Sequence, residues 1–238
     1  MPRTVLINNV DHKNLRVIAR RSAAFGDNVN QVLVFPTEFQ HIQREYPILI
    51  RKDSNGAYQA VALLGFDKGE NLFLDEGGWR ARYVPAMLER GPFVIGKPRA
   101  SEGVEPLVGL DLDHPAVSET EGEPLFLPQG GSSPYLERMA RTLLAIDQGV
   151  EVSGPMFAAF DEADLIEPAA LEIIPDARTQ YNVPDVFTVN ETSLMSLDGA
   201  TLERLNRVGY LRAAYQIVSS LGNMAQLIEA KRRRRGVA

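Results

Sequence analysis

The fold is decided by residues 30–64, which read NQVLVFPTEFQHIQREYPILIRKDSNGAYQAVALL. The apolar, β-branched run at 30–35 predicts a first strand. Two more strand-like runs follow at 47–51 and 57–64, and the Asn-Gly pair between them is typical of a tight hairpin turn. Together with a further run at 71–75, they predict an antiparallel meander.

A short helix is predicted at 37–46, between the first two strands. Phe39, Ile42 and Tyr46 recur at helical spacing, so we expect one face of this helix to meet the core. The helix begins with Thr-Glu-Phe-Gln, a capping-box pattern in which the hydroxyl of Thr37 accepts a main-chain N–H of the first turn. The helix is expected to stop before a proline, which disfavours helical geometry in the preceding residue.

The second half of the chain predicts mainly helices. Residues 134–148 have helical apolar spacing, with Gly149 as the expected C-terminal stop. Asp198 is placed to cap another helix, and residues 210–229 repeat apolar side chains at helical intervals, which favours an αα-hairpin. The predicted class is therefore α+β, with a mostly antiparallel sheet, peripheral helices and a C-terminal αα-hairpin.

The composition predicts one large folded domain. With 238 residues, 45% of them hydrophobic, the chain can bury a substantial core. We expect a single globular domain at 1–230 and a basic tail at 231–238. The formal net charge is −6 although residues 231–235 are all Lys or Arg, so the globular part is acidic. Such a body repels phosphates, which argues against a nucleic-acid partner, and the tail is interpreted as a solvated helix end.

Several classes of protein are excluded by what the sequence lacks. The chain has no Cys, so it has no disulfide, thiolate metal site or cysteine nucleophile. It has no apolar run of the roughly 20 residues that a transmembrane helix needs. The first ten residues show no export signal, and we therefore expect a soluble, cytoplasmic protein. Dinucleotide-binding, Walker, nucleophile-elbow and zincin motifs do not occur.

Short phrases along the chain are similar to those of a known family. They are His12 with Leu15-Arg16-Val17; Glu45-Tyr46-Pro47-Ile48; Ala62-Leu63-Leu64-Gly65; Gly69-Glu70-Asn71-Leu72-Phe73; Trp79-Arg80 before Tyr83-Val84-Pro85; residues 90–93; Leu112-Asp113; Gly122-Glu123-Pro124-Leu125-Phe126; Leu165-Ile166-Glu167-Pro168; Gly209-Tyr210-Leu211; and Ser220-Leu221-Gly222-Asn223. In this order they resemble the bacterial SapC family over nearly the whole chain. The resemblance implies a link to a bacterial surface layer, or to genes for outer-membrane receptors and flavin-dependent halogenases. It brings no set of catalytic residues.

Asn71, Trp79, Arg82 and Tyr83 form the best candidate for a recognition surface. Aromatic and guanidinium groups supply large contact areas and oriented hydrogen bonds, which ligand and partner sites use. Trp79 is the sole Trp and follows a Gly-Gly turn, where it can reach a ligand or, alternatively, cover the edge of the core.

A metal or acid–base site is a second candidate. Glu38, His41 and Glu45 follow one another at i, i+3 and i+7, which places two carboxylates and an imidazole along one helix edge. His12 can complete such a site across space. The alternative is that these polar residues flank the buried face of the helix, where solvated side chains belong.

A third polar cluster comprises Asp111, Asp113 and His114. An Asp-x-Asp pair can bind Mg²⁺ or Ca²⁺, but the twelve-residue calcium-loop pattern is absent, and an acidic turn after a strand is the simpler interpretation.

Three hypotheses about function follow. The first is an accessory or binding protein, not an enzyme, that recognises a peptide, a metabolite or a protein partner. The second is a metal-assisted enzyme with its site around His12 and His41. The third is a self-assembling structural subunit, a homo-oligomer related to a surface layer. The sequence identifies no cofactor.

Overall fold

The computed structural model of the chain describes residues 3–96, 107–169, 171–176 and 179–236. The chain divides into two compact units. The first unit comprises Met1–Asp27, Leu74–Arg80 and Ala86–Gln148, and the second comprises Asn28–Phe73, Ala81–Pro85 and Gly149–Ala238. The single domain at 1–230 and the tail at 231–238 stay predictions, and residues 237–238 of that tail lie outside the described residues.

The strands are short and follow the chain in this order: β1 Thr4–Leu6, β2 Arg16–Val17, β3 Gln31–Leu33, β4 Ile48–Lys52, β5 Tyr58–Leu63, β6 Leu74–Asp75, β7 Gly78–Trp79, β8 Phe93–Gly96, β9 Leu107–Asp111, β10 Val117–Ser118, β11 Glu123–Pro124, β12 Ile166–Pro168, β13 Leu171–Asp176, β14 Thr179–Val183 and β15 Phe187–Val189.

The helices are α1 Phe39–Ile42, α2 Ala86–Glu89, α3 Pro134–Glu162, α4 Glu191–Met195, α5 Gly199–Arg207, α6 Tyr210–Ser220 and α7 Met224–Arg234. Two 3₁₀ turns, Ala23–Phe25 and Leu221–Asn223, complete the helical structure of the described residues. No helix in the described ranges is both long enough and apolar enough to span a membrane.

The first unit contains three small antiparallel sheets. Their strand orders are β1-β9-β8, β10-β2-β11 and β6-β7. The core of this unit is formed by Val17, Phe93, Leu110, Ala116, Leu125, Tyr135, Leu136, Met139 and Leu143. Strands β8 and β9 contribute to this core: Phe93 lies opposite Leu110 in the sheet, and both side chains are fully buried.

The second unit is built on a five-stranded antiparallel sheet in the order β12-β15-β4-β5-β3. The β4–β5 hairpin closes at Gly56, whose φ of 82° suits the Asn-Gly turn, and Asp53 Oδ1 accepts the main-chain N–H groups of Asn55 and Ala57. Leu49 and Val61 face each other across this hairpin and belong to the core of the unit.

The predicted class is confirmed, because the chain is α+β with mostly antiparallel sheets and C-terminal helices. The predicted meander is correct for β4 and β5 but wrong for the run at 71–75. The other neighbour of β5 is β3, and β6 turns back on β7. Strand β3 lies beside β5 instead, and its residues Gln31, Val32 and Leu33 pair with those of β5. The apolar run at 30–35 therefore supplies the edge strand of this sheet.

Two local predictions at helix ends are wrong. Glu38, not Thr37, is the N-cap residue of α1, and it makes no side-chain cap bond. Helix α3 does not stop at Gly149 but continues to Glu162. A side chain at Gly149 would clash with Cβ of Phe35 and lie 2.8 Å from its Cγ, so this glycine permits a close approach instead of ending the helix.

The C-terminal helices are capped and fastened by polar side chains. Asp198 caps α5 as predicted, accepting the N–H groups of Ala200 and Thr201. The long apolar pattern at 210–229 is divided by a 3₁₀ turn into α6 and α7. At this turn, Ser220 Oγ accepts the N–H of Ile48 at 2.8 Å, and the Asn223 amide donates to the carbonyl of Gln43 at 2.8 Å.

Candidate functional site

The outward edge of helix α1 carries the first residues of the candidate site. Phe39, Ile42 and Tyr46 are completely buried. Their burial fixes the rotation of the helix and of the turns at 43–46 that follow it, so His41 and Glu45 lie half-buried on the opposite side. The interior of the unit thus determines which polar side chains face the solvent.

The segment 81–85 is fastened to this edge by Glu45. Its carboxylate accepts the main-chain N–H of Arg82 at 2.9 and 3.1 Å and that of Tyr83 at 3.2 Å. The hydroxyl of Tyr46 donates to the carbonyl of Tyr83. Hydrogen bonds to a carboxylate are stronger than those between neutral groups, so Glu45 holds the loop firmly.

Tyr83 is also held through its side chain. Its hydroxyl donates a hydrogen bond of 2.9 Å to Oε2 of Glu38, which is only 4% exposed. The other oxygen of Glu38 accepts the N–H of Phe35 at 3.3 Å. The ring of Tyr83 stacks on His41, with 5.0 Å between the ring centroids and 18° between the planes.

An open pocket of about 420 Å³ lies beside the stacked rings, and we call it the His41–Tyr83 pocket. It is lined by His41, Arg44, Glu45, Arg82, Tyr83 and Gln226. Every one of these residues belongs to the second unit. The volume lies within the range of small-molecule sites, roughly 300–1,000 Å³.

The charges of the pocket lining are unequal. Arg44 and Arg82 contribute two guanidinium groups, and Glu45 contributes one carboxylate. Within the described part of the chain, neither guanidinium has an ion-pair or hydrogen-bond partner. Because two guanidinium groups outnumber the single carboxylate, the pocket lining carries a net positive charge.

The predicted metal-site residues do not all lie in one unit. Glu38, His41 and Glu45 are in the second unit, whereas His12 is in the first, where its Nδ1 accepts the N–H of Asn8 at 3.2 Å. Among the residues that the structure describes, no group of three or more His, Asp or Glu side chains is arranged to hold a metal ion. The two carboxylates instead position Tyr83.

The predicted recognition surface is divided in a similar way. Arg82 and Tyr83 line the pocket, but Asn71 does not, since it is buried and its Oδ1 accepts the N–H of Phe73 at 2.9 Å. Trp79 lies half-buried in β7 of the first unit. Two of the four predicted residues, Arg82 and Tyr83, thus line the pocket.

The cluster of Asp111, Asp113 and His114 forms the turn after β9. Asp111 Oδ1 accepts the N–H of Asp113 at 3.1 Å, and Nδ1 of His114 accepts the N–H of Ala116 at 3.1 Å. Burial lowers the pKa of His114 below its ordinary value, which keeps the ring neutral and able to accept this bond. Asp113 also accepts the main-chain N–H of Arg3 at 3.0 Å, so each of the three side chains already has a hydrogen-bond partner.

Sequence reasoning missed two residues of the pocket, Arg44 and Gln226. Arg44 follows His41 by three positions, in the turn that continues α1, so it lies on the same side as His41, and that spacing was a usable signal. Gln226 comes from α7, about 180 residues further along the chain. No local pattern connects it to the pocket.

The fold and the pocket define a class: an α+β protein with an open pocket whose lining carries a net positive charge. A family model described as SapC matches residues 7–227, and the chain therefore belongs to the SapC family. No curated protein and no solved structure matches it.

Proposed function

We propose that this SapC-family chain is a non-catalytic binding protein and that the His41–Tyr83 pocket recognises its ligand. The observation that carries the proposal is the use of Glu38 and Glu45 to fix Tyr83 in a stack on His41. Binding sites gain affinity when their contact groups are held in place before the ligand arrives. A rigid aromatic pair beside two guanidinium groups meets that requirement.

The engagement of the acidic groups supports binding over acid–base catalysis. A general base must be within hydrogen-bond reach of the proton that it removes. The carboxylate of Glu45 accepts main-chain N–H groups, and that of Glu38 is buried beneath the Tyr83 hydroxyl. Both carboxylates therefore serve the geometry of the pocket.

The ligand of this proposal is a metabolite or the end of a peptide, because the pocket volume suits a group of that size. The family resemblance adds a setting: an accessory role linked to outer-membrane receptor or flavin-dependent halogenase systems. A binding protein fits such a role, since it can deliver or sense a small molecule for a neighbouring system.

The test is native mass spectrometry of protein that has been incubated with a small-molecule extract of bacterial cells. The wild-type protein should retain a discrete added mass, and an Arg44→Ala/Arg82→Ala variant should lose it. Arg204→Ala/Arg207→Ala is the matched control, because it removes the same charge from exposed positions of α5. Equal retention by the wild-type protein and both variants would exclude the pocket as the site.

A further inference from the structure

The hydrogen-bonding groups of the His41–Tyr83 pocket specify the chemistry of its ligand. Glu45 and Tyr83 both carry acceptor atoms in the pocket lining, and these atoms already have donors. The Glu45 carboxylate accepts two main-chain N–H groups, and the Tyr83 carbonyl accepts the hydroxyl of Tyr46. The Tyr83 hydroxyl donates its hydrogen bond to Glu38. What the lining offers a ligand is therefore mostly hydrogen-bond donors.

The tautomer of His41 follows from a chain of hydrogen bonds. Arg212 Nη2 lies 2.6 Å from Gln40 Oε1, and a guanidinium can only donate, so this atom of Gln40 is the acceptor. Gln40 Nε2 is then a donor, and it lies 3.2 Å from Nε2 of His41. His41 must accept there, which assigns its proton to Nδ1.

The remaining polar groups of the lining are mainly donors. The guanidinium groups of Arg44 and Arg82 cannot accept hydrogen bonds, and they lack partners among the described residues. The amide of Gln226 supplies further N–H groups beside its own carbonyl acceptor. A lining that combines two fixed positive charges with excess donors is complementary to an oxyanion.

Resting on the proposed binding role, we infer that the pocket binds the oxyanion group of a small planar molecule. The oxyanion, a carboxylate or a phosphate, is held by Arg44 and Arg82. The planar part of the ligand contacts the stacked rings of His41 and Tyr83. Guanidinium groups match both anions with paired N–H donors, so carboxylate and phosphate share this chemistry.

The experiment is a titration followed by two-dimensional ¹H–¹⁵N NMR, which detects weak binding of small probes. The probes are benzoate, phenyl phosphate and benzamide; benzamide keeps the ring of benzoate but carries no charge. Benzoate or phenyl phosphate should shift the main-chain signals of residues 41–45 and 82–83. Benzamide should bind about tenfold more weakly, because it cannot form the charge-assisted hydrogen bonds.

Variants separate the pocket from non-specific attraction. Arg44→Ala/Arg82→Ala should remove the anion-dependent shifts, whereas Arg204→Ala/Arg207→Ala should leave them unchanged. The stronger of the two anionic probes identifies the oxyanion as a carboxylate or a phosphate.

Two results would overturn the inference, and they differ in what they mean for the binding role. Equal binding of benzamide and benzoate would refute the oxyanion while leaving a pocket that binds planar molecules. The absence of shifts with all three probes would refute the inference, and the mass retained from the cell extract would then decide separately whether the pocket binds a ligand.

Discussion

The ammonium nitrogen of Lys231 lies 2.6 Å from Oδ2 of Asp67 and at the same distance from Oε1 of Glu70. The side chain of Lys231 is only 4% exposed, although it opens the run of cationic residues at the C-terminus. A buried ammonium is tolerated when carboxylates compensate its charge. The interpretation of this run as a solvated helix end is therefore wrong at its first residue, which ties α7 to the turn at 67–70.

Replacing Lys231 should destabilise the second unit. Lys231→Met leaves the carboxylate of Glu70, itself 13% exposed, without its cation. We expect the free energy of unfolding to fall by about 2 kcal/mol, below the 3–5 kcal/mol typical of a fully buried pair because Asp67 is half-exposed. Urea denaturation measures the change.

The matched control for this variant is Arg233→Ala, in the same helix. Arg233 forms an exposed i,i+4 pair with Glu229, and such pairs contribute only about 0.5 kcal/mol. If both variants lose the same small amount of stability, Lys231 does not act as an anchor.

The same ion pair should make stability depend on pH. The hydrogen bond from Lys231 is the largest cause that lowers the pKa of Asp67, and partial burial opposes it. Because the folded pKa lies below the unfolded value of about 3.9, this contribution is present above that pH and disappears as the pH falls through the folded pKa. Wild type and Asp67→Asn should therefore differ in stability near neutral pH and converge in acid.

At alkaline pH the sign is reversed. Burial lowers the pKa of Lys231, but its hydrogen bonds with Asp67, Glu70 and Tyr181 outweigh burial and raise it. The contribution of Lys231 is complete below the unfolded pKa of about 10.4 and is lost as the pH rises through the folded value. Urea unfolding at a series of pH values tests both limbs, and a gap between wild type and Asp67→Asn that does not change with pH would refute the assignment.

The parts of the fold that sequence predicted correctly are those with local causes. The β4–β5 hairpin follows from alternating apolar residues and an Asn-Gly turn, and the start of α5 follows from the carboxylate of Asp198. Phe39, Ile42 and Tyr46 were correctly placed in the core, since their helical spacing allows only one buried face.

The missed features have long-range causes. Gln226 reaches the pocket only because α7 packs in the second unit, and Lys231 is buried only because Asp67 and Glu70 are there to meet it. The helix-stop prediction at Gly149 used a rule for helix ends, whereas the residue is needed for contact with Phe35. None of these three contacts leaves a periodic pattern in the neighbouring sequence.

Gly149→Ala should destabilise the protein although alanine favours helices. The new Cβ would clash with Cβ of Phe35, an atom close to the backbone that cannot easily move. Overpacking of this kind costs about 1–3 kcal/mol, and it is offset only in part by the gain of about 1 kcal/mol in helix propensity. A lower urea midpoint is the expected result.

Gly154→Ala is the control within the same helix. Apart from its two chain neighbours, no atom lies within 4 Å of the Cβ that this change would add, and the residue is exposed. Pro155 follows it, and a proline ring disfavours helical geometry in a preceding residue that carries a Cβ, which opposes the gain of about 1 kcal/mol in helix propensity. Stability should therefore change by less than about 0.5 kcal/mol. A clear loss for Gly149→Ala alone is expected; equal changes in the two variants would show that α3 does not approach Phe35 closely.

Tyr83→Phe tests how much the hydrogen bond from the Tyr83 hydroxyl to Glu38 contributes to stability. The variant keeps the ring that stacks on His41 but removes the hydrogen bond to Glu38, whose buried carboxylate then has one donor fewer. We expect a loss of about 1–3 kcal/mol in unfolding free energy. Tyr215→Phe, at a position 45% exposed, should change stability by less than about 0.5 kcal/mol.

Amide hydrogen exchange separates a local effect of Tyr83→Phe from a global one. If Glu38 and Glu45 together hold the segment 81–85, loss of the Tyr83 hydroxyl should speed exchange at the main-chain N–H groups of Arg82 and Tyr83 more than in β4. Uniform acceleration would mean that the hydroxyl stabilises the unit as a whole. Loss of a donor to a buried carboxylate lowers the free energy of unfolding. Unchanged exchange together with unchanged stability would therefore show that the Tyr83 hydroxyl does not stabilise the pocket.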